Sequence, residues 1–266
     1  MKEEFNSNLH ELQIHESGEV RNPMIVFLHG VGASGLMWES HLNALSLNYH
    51  CIAPDLPGHG GSNKFEWSSM DEITEYVYNL IGRYPHKKAH VVGLSLGASV
   101  TINLLSKHGK VVDHAIVDGA GVIPIRAMKL IKLAVSALSP FIHNSLVIKI
   151  IASSLGISRE GFEGFMRDMK TVSPASFRRA FSQANEMTLP DGMDKVASRT
   201  LFVAGETEAK ETRESNMKLA QLMVSASYCI APKLGHGWLA RALDMHVEMT
   251  KAWIEDRNLP SSLKSC

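Results

Sequence analysis

The chain has 266 residues, 45% hydrophobic and 20% charged, enough to bury a large core without disulfide or metal staples. Lysine plus arginine balances aspartate plus glutamate at 27 each, so no net charge draws the protein to nucleic acid or to an anionic membrane. Cys51, Cys229 and Cys266 imply no disulfide framework. The charged start Met1-Lys2-Glu3-Glu4 is not a signal peptide, and the most apolar stretch, 127–156, is broken by Lys129, Lys132, Pro140, His143 and Lys149. A cytoplasmic protein with no stable membrane insertion is expected.

Short apolar runs alternate with amphipathic stretches along the first half, the pattern of βαβ units around a largely parallel sheet. Met24 to Leu28 is the first run and ends at His29-Gly30. Cys51 to Ala53 leads into the turn-rich Pro54-Asp55 and Pro57-Gly58-His59-Gly60-Gly61-Ser62. Ser69-Met70-Asp71-Glu72 reads as a capping box opening a helix through Ile73, Val77 and Leu80. Ala89 to Val92 runs into Gly93-Leu94-Ser95-Leu96-Gly97, followed by a helix carrying Val100, Ile102 and Leu104. Ala115 to Val117 ends at Asp118-Gly119.

From about Gly121 to Asp194 the rhythm changes to consecutive helices. Lys129, Lys132, Ser136 and Ser139 form a polar stripe beside a wide apolar face of Leu130, Ile131, Leu133, Ala134, Val135 and Leu138. Ser173-Pro174 reads as an N-cap followed by proline at the first helical position. The alternation then resumes with a strand at Leu201 to Ala204, a helix at Arg213 to Met223 and a strand at Tyr228 to Ile230. A last helix spans about Leu239 to Asp256.

Gly-x-Ser-x-Gly between an apolar strand and a helix is the pattern of a nucleophile elbow, a tight turn that lifts the serine hydroxyl above the sheet. Gly93 and Gly97 remove side chains that would clash there, so Ser95 is the expected nucleophile. A serine needs an adjacent base. Of 13 histidines, His236 in Gly235-His236-Gly237 lies on the loop after the last long strand, at the carboxyl edge where Ser95 emerges. Histidines elsewhere, His10, His41 and His246 among them, fall on other elements. The orienting carboxylate falls between Ser and His in chain order. Glu208, three residues past Gly205, is preferred, with Asp118 as the alternative. Backbone N–H groups of Leu96 and Val31 are the expected oxyanion donors. His29, Trp238 and Met128 are expected at the substrate. No metal is expected, because no His/Cys/Asp/Glu cluster has ligand spacing.

These marks, His29-Gly30, Asp55-Leu56-Pro57-Gly58-His59-Gly60-Gly61-Ser62, Gly93-Leu94-Ser95-Leu96-Gly97, Gly205-x-x-Glu208 and Gly235-His236, stand in an order that resembles the α/β-hydrolase superfamily, in its cap-bearing, esterase-like branch. The resemblance implies a doubly wound, mostly parallel eight-stranded sheet with helices on both faces. It implies a core of 1–120 and 195–266 with a helical cap, 121–194, inserted after the sixth strand. Most relatives carry Asp where this chain has Glu208. Members that cleave epoxides or carbon–halogen bonds use an Asp nucleophile, and Ser95 argues against both reactions.

The residues and the resemblance together imply cofactor-free acyl transfer on a small-molecule carboxylic ester with a small to medium apolar part. Thioester and C–C bond hydrolysis use the same triad, with perhydrolysis as a side activity. A ligand-receptor role with little turnover is the alternative from a different class. The wide apolar faces of the cap and its methionines Met128, Met166, Met169 and Met187 are expected to roof the site with adaptable apolar surface. The oligomeric state is not readable from the sequence.

Overall fold

The computed structural model describes residues 11–125 and 127–265; Met1 to Glu4, His10 and Cys266 lie outside them. Among the described residues, eight strands form one sheet in the order β1-β3-β2-β4-β5-β6-β7-β8. The strands are β1 (Ile14–Ser17), β2 (Met24–Leu28), β3 (His50–Pro54), β4 (Ala89–Leu94), β5 (Val112–Asp118), β6 (Arg199–Gly205), β7 (Ala226–Ala231) and β8 (Lys264–Ser265). Interior neighbours are parallel, while β1 and β8 run antiparallel at the two edges.

The interior strands read as continuous apolar runs because both faces of the sheet are covered. In β2 all five residues are buried and their side chains alternate between two cores. Met24, Val26 and Leu28 face the larger core, shared with α2 (Met70–Gly82) and α3 (Leu96–His108). Ile25 and Phe27 face the other, shared with Trp38, α1 (Glu39–Leu45) and Trp253 of α10 (Leu243–Ile254). Full burial of such a side chain contributes about 1.5–3 kcal/mol, so a register slip in β2 would be strongly opposed.

Helix starts follow their sequence signals. Ser69 Oγ accepts from the Glu72 N–H at 3.1 Å at the head of α2. Ser173 caps α7 (Pro174–Glu186) with Pro174 in its first turn. Four helices lie between β5 and β6: α4 (Met128–Leu138), α5 (Ser145–Ser154), α6 (Arg159–Met169) and α7. Asp168 of α6 accepts from Ser34 Oγ at 2.7 Å, beside the loop that follows β2. Ser176 of α7 accepts from the Trp67 N–H at 2.9 Å. After β6 come α8 (Lys210–Leu222), α9 (Trp238–Arg241) and α10.

Three expectations are corrected. The run of helices follows the fifth described strand and not the sixth, because the eighth strand of the described sheet is the C-terminal β8 and not one more strand ahead of the elbow. The single last helix is two, because Ala242 leaves the helical region at φ −134°, ψ 51°. The wide apolar face of α4 does not roof anything along most of its length: Leu130 and Leu133 are 71% and 68% exposed. The side of α4 that packs on the protein carries Met128 and Val135, and Lys132 pairs with Glu186 of α7 at its half-exposed edge, so Leu130 and Leu133 fall on the outer side. Among the described residues, no helix is long and apolar enough to cross a membrane.

Candidate active site

Ser95 sits between the end of β4 and the start of α3 with φ 56° and ψ −108°, a conformation that costs a side-chain-bearing residue on the order of 1–3 kcal/mol. The turn is held by the Ser95 N–H donating to the Asp118 carbonyl at 2.8 Å and the Gly97 N–H donating to the His29 carbonyl at 3.1 Å. A Cβ on Gly97 would lie 2.1 Å from the Leu28 carbonyl oxygen, and one on Gly93 2.4 Å from that of Gly97. No side chain fits at either position, which is the packing reason for both glycines.

His236 lies on the loop between β7 and α9. Its Nδ1–H donates to Glu208 Oε2 at 2.8 Å, while Glu208 Oε1 accepts from the Gly205 N–H at 2.8 Å. Both carboxylate oxygens are therefore engaged, and the second bond locks the acid to the end of β6. The donation from Nδ1 leaves Nε2 as the nitrogen that carries a lone pair. Burial of the ring works to lower the His236 pKa, but the charge and hydrogen bond of Glu208, with the charge of Asp118, outweigh it and raise it above the ordinary histidine value. Glu206 faces elsewhere, accepting from the Lys233 N–H and from Lys264 Nζ, each at 2.7 Å.

Asp118 is brought to a different pair of side chains. It is fully buried, its Oδ1 accepts from Trp238 Nε1 at 3.0 Å, and its Oδ2 lies 3.5 Å from His246 Nε2. His246 Nδ1 in turn pairs with His41 Nε2 at 2.8 Å. Burial, then the nearby Glu208 charge, holds the Asp118 carboxyl well above the usual carboxylate range. Burial alone brings His246 down to about 3.

Two cavities meet at Ser95, His236 and Val31. One, about 280 Å³, is lined on its apolar side by Leu36, Met37, Leu155, Ile157, Phe165 and Leu239. The other, about 520 Å³, runs past Ile123, Ile125, Met128, Ile131 and Phe181. Leu96, the first residue of α3, is buried beneath the junction.

Met128 lines the larger cavity, whereas His29 and Trp238 line neither. His29 is buried: its Nδ1–H donates to the Gly30 carbonyl at 2.8 Å and its Nε2 accepts from the Leu56 N–H at 2.9 Å, so it stitches two loops. Trp238 is held inward by Asp118. Of the other methionines expected overhead, Met169 is buried against Gly32, and Met166 and Met187 pack on the larger core. Sequence reasoning missed Gly119, at φ 68°, where a Cβ would lie 2.9 Å from His236 Nδ1 and Cε1. A glycine directly after a strand that ends beside the elbow is the signal that could have found it.

The sheet order, the elbow and the histidine–carboxylate pair together define a class. The model of the alpha/beta hydrolase family matches residues 25–248, and the chain belongs to that family. It is 23% identical over 268 aligned positions to an AB hydrolase superfamily protein of Gibberella zeae, covering 98% of this chain and 90% of that one. Among solved structures it is similar to the enol-lactonase from Burkholderia xenovorans, with a TM-score of 0.79 and 16% identity, covering 92% of this chain and 96% of that one. It is also similar to a thermophilic esterase from Thermogutta terrifontis, with a TM-score of 0.77 and 17% identity over 92% and 93% of the two chains. At these identities the structural likeness speaks for the fold.

Proposed function

We propose that the protein is a serine hydrolase that cleaves a carboxylic ester through an acyl-enzyme, with Ser95 as nucleophile, His236 as base and Glu208 as the orienting acid. The observation that carries this reading is the His236–Glu208 hydrogen bond at 2.8 Å, set where Ser95 and His236 share the walls of two cavities. His236 takes the Ser95 proton on Nε2 as the hydroxyl attacks the ester carbonyl, and then delivers it to the departing alcohol. Water enters with His236 again as base, and Ser95 is released. The charge that develops on the carbonyl oxygen is met by the backbone N–H groups of Leu96 and Val31. Leu96 opens α3, where N–H groups lack intrahelical partners and the helix dipole favours negative charge. Glu208 keeps Nδ1 protonated and stabilises the imidazolium formed in each step.

On this reading residues 121–194 are a cap over a core of 1–120 and 195–266, and Met128 and Ile131 belong to its inner surface. The apolar wall of the larger cavity suits a small to medium apolar ester, and the smaller cavity adds the charged Glu39, Glu160, Arg167 and Asp168 to its apolar side. The esterase and enol-lactonase among its structural relatives fit such chemistry. The buried thiol of Cys51 suits a reducing, cytoplasmic setting.

The test is covalent labelling of the purified chain with a fluorophosphonate, beside turnover of short-chain p-nitrophenyl esters. Adduct on Ser95 and turnover, both lost in Ser95→Ala, is the expected result. A folded protein that neither reacts nor turns over would sink the hydrolase reading and leave a ligand-binding role.

A further inference from the structure

A second cluster of chemistry-bearing side chains lies at the amino ends of β4 and β5, the sheet edge opposite Ser95. The register between these strands pairs Ala89 with Val112 and Val91 with Ala115, so His90 alone faces both Asp113 and His114. This is a β-bulge, two residues against one, and it re-aims side chains that a regular ladder would send to opposite faces. Asp113 Oδ2 lies 3.6 Å from His114 Nδ1 and 4.0 Å from His90 Nδ1, and all three atoms lie within 4.8 Å of one another.

His114 Nε2 pairs with Asp256 Oδ1 at 3.1 Å, which turns Nδ1 toward Asp113. Both Nδ1 atoms are buried, and neither has a hydrogen-bond partner among the described residues. Two buried ring nitrogens without partners, set beside the half-exposed Asp113 carboxylate, leave polar atoms that a cation between them would satisfy.

We propose that His90 Nδ1, Asp113 Oδ2 and His114 Nδ1 are three ligands of a divalent transition-metal site of the zinc type, completed by water. Nitrogen and oxygen ligands about 2.0–2.2 Å from such an ion stand roughly 3.4 Å apart, so small side-chain shifts close the observed spacing. Two imidazoles and one carboxylate suit zinc better than calcium or magnesium. Lys88 Nζ holds the other carboxylate oxygen, Oδ1, at 2.7 Å and so aims Oδ2 at the histidines. Asp256, itself paired with Arg199, supplies the outer-shell carboxylate that orients a ligating histidine. A cavity of about 250 Å³ lined by His86, His90 and Asp113 opens the way in. The ion would pin β4 to β5 and, through Asp256, to the segment after α10, a structural role at the far edge from Ser95.

The experiment titrates chelator-stripped, full-length protein with ZnCl2 by calorimetry and follows the thermal melt. Wild type is expected to bind one equivalent saturably and to melt several degrees higher with zinc. His90→Ala and His114→Gln, each shown folded by circular dichroism, lose this equivalent or weaken it on the order of 100-fold, and Asp256→Asn weakens it about tenfold. His114→Gln retains a polar side chain, so it serves if His90→Ala fails to fold. Absence of saturable uptake at millimolar zinc, or uptake and melting shift unchanged in a folded variant, overturns the proposal and leaves a protonated imidazole–carboxylate cluster.

Discussion

Gly119→Ala tests the geometry of the proposed site without touching a reacting group. The new Cβ would stand 2.9 Å from Nδ1 and Cε1 of His236 and 3.3 Å from Glu208 Oε2. Unbonded carbon contacts settle near 3.5–4.0 Å, so the ring must retreat by roughly 0.6–1 Å. A displacement of about 1 Å at a catalytic group costs on the order of 100-fold in rate, equivalent to about 2.7 kcal/mol on the barrier. The backbone at φ 68° adds a separate penalty of about 1 kcal/mol for alanine over glycine. For a chain of this size that lowers Tm by only about 2–4 °C. The assay is kcat/KM on p-nitrophenyl acetate well below both melting temperatures, with Tm measured in parallel. A variant within about threefold of wild type would show that His236 does not need the space Gly119 leaves, and the reasoning from contact to rate would fail.

Two further outcomes discriminate among the site residues. Glu208→Gln should lower kcat by about 10³–10⁴-fold, as expected when the histidine loses its orienting acid, whereas Asp118→Asn should cost less than about tenfold because its partners are Trp238 and His246. Steady-state kinetics of the two side by side settles which acid acts, and a larger loss at Asp118 would reverse the assignment. The pH profile of kcat/KM should have its acidic limb above the ordinary histidine pKa of 6.5, because His236 is active when neutral and its pKa is raised. Activity is then full above the raised value and falls as pH drops through it, and a limb centred below 6.5 would contradict the Glu208–His236 coupling.

Much of this fold was legible from short apolar runs, and what was missed has physical causes. The six long strands announce themselves because both their faces are buried, as in Met24–Leu28. The edge strand Ile14–Ser17 is half-exposed and mostly polar, and Lys264–Ser265 is too short to show a period. Family likeness, not pattern, supplied the count of eight. The break at Ala242 carries no proline or glycine to mark it. On α4 the apolar residues were visible, but periodicity reports a face and not its partner, so Leu130 and Leu133 were placed inward when they face solvent. At the candidate site, the placement of Ser95, Glu208 and His236 at one sheet edge was readable because strand ends fix where loops emerge. The cavity walls were not, since they combine residues as distant as Leu36, Phe165 and Leu239. The His90–Asp113–His114 cluster escaped for a related reason, its members being neighbours across a bulged ladder.

The left-handed backbone of Ser95 ties the chemistry to the mechanical soundness of the sheet. Its cost of about 1–3 kcal/mol is a sizeable share of the 5–15 kcal/mol that typically separates folded from unfolded protein. Bonds to the Asp118 carbonyl and from the Gly97 N–H to the His29 carbonyl hold that strain in place, and they anchor it to the ends of β5 and β2. Any loosening of those strand ends lets the serine relax toward an ordinary turn while the rest of the fold still stands. On the proposed mechanism, the expected outcome of mild heating or denaturant is that reactivity at Ser95 is lost before global unfolding.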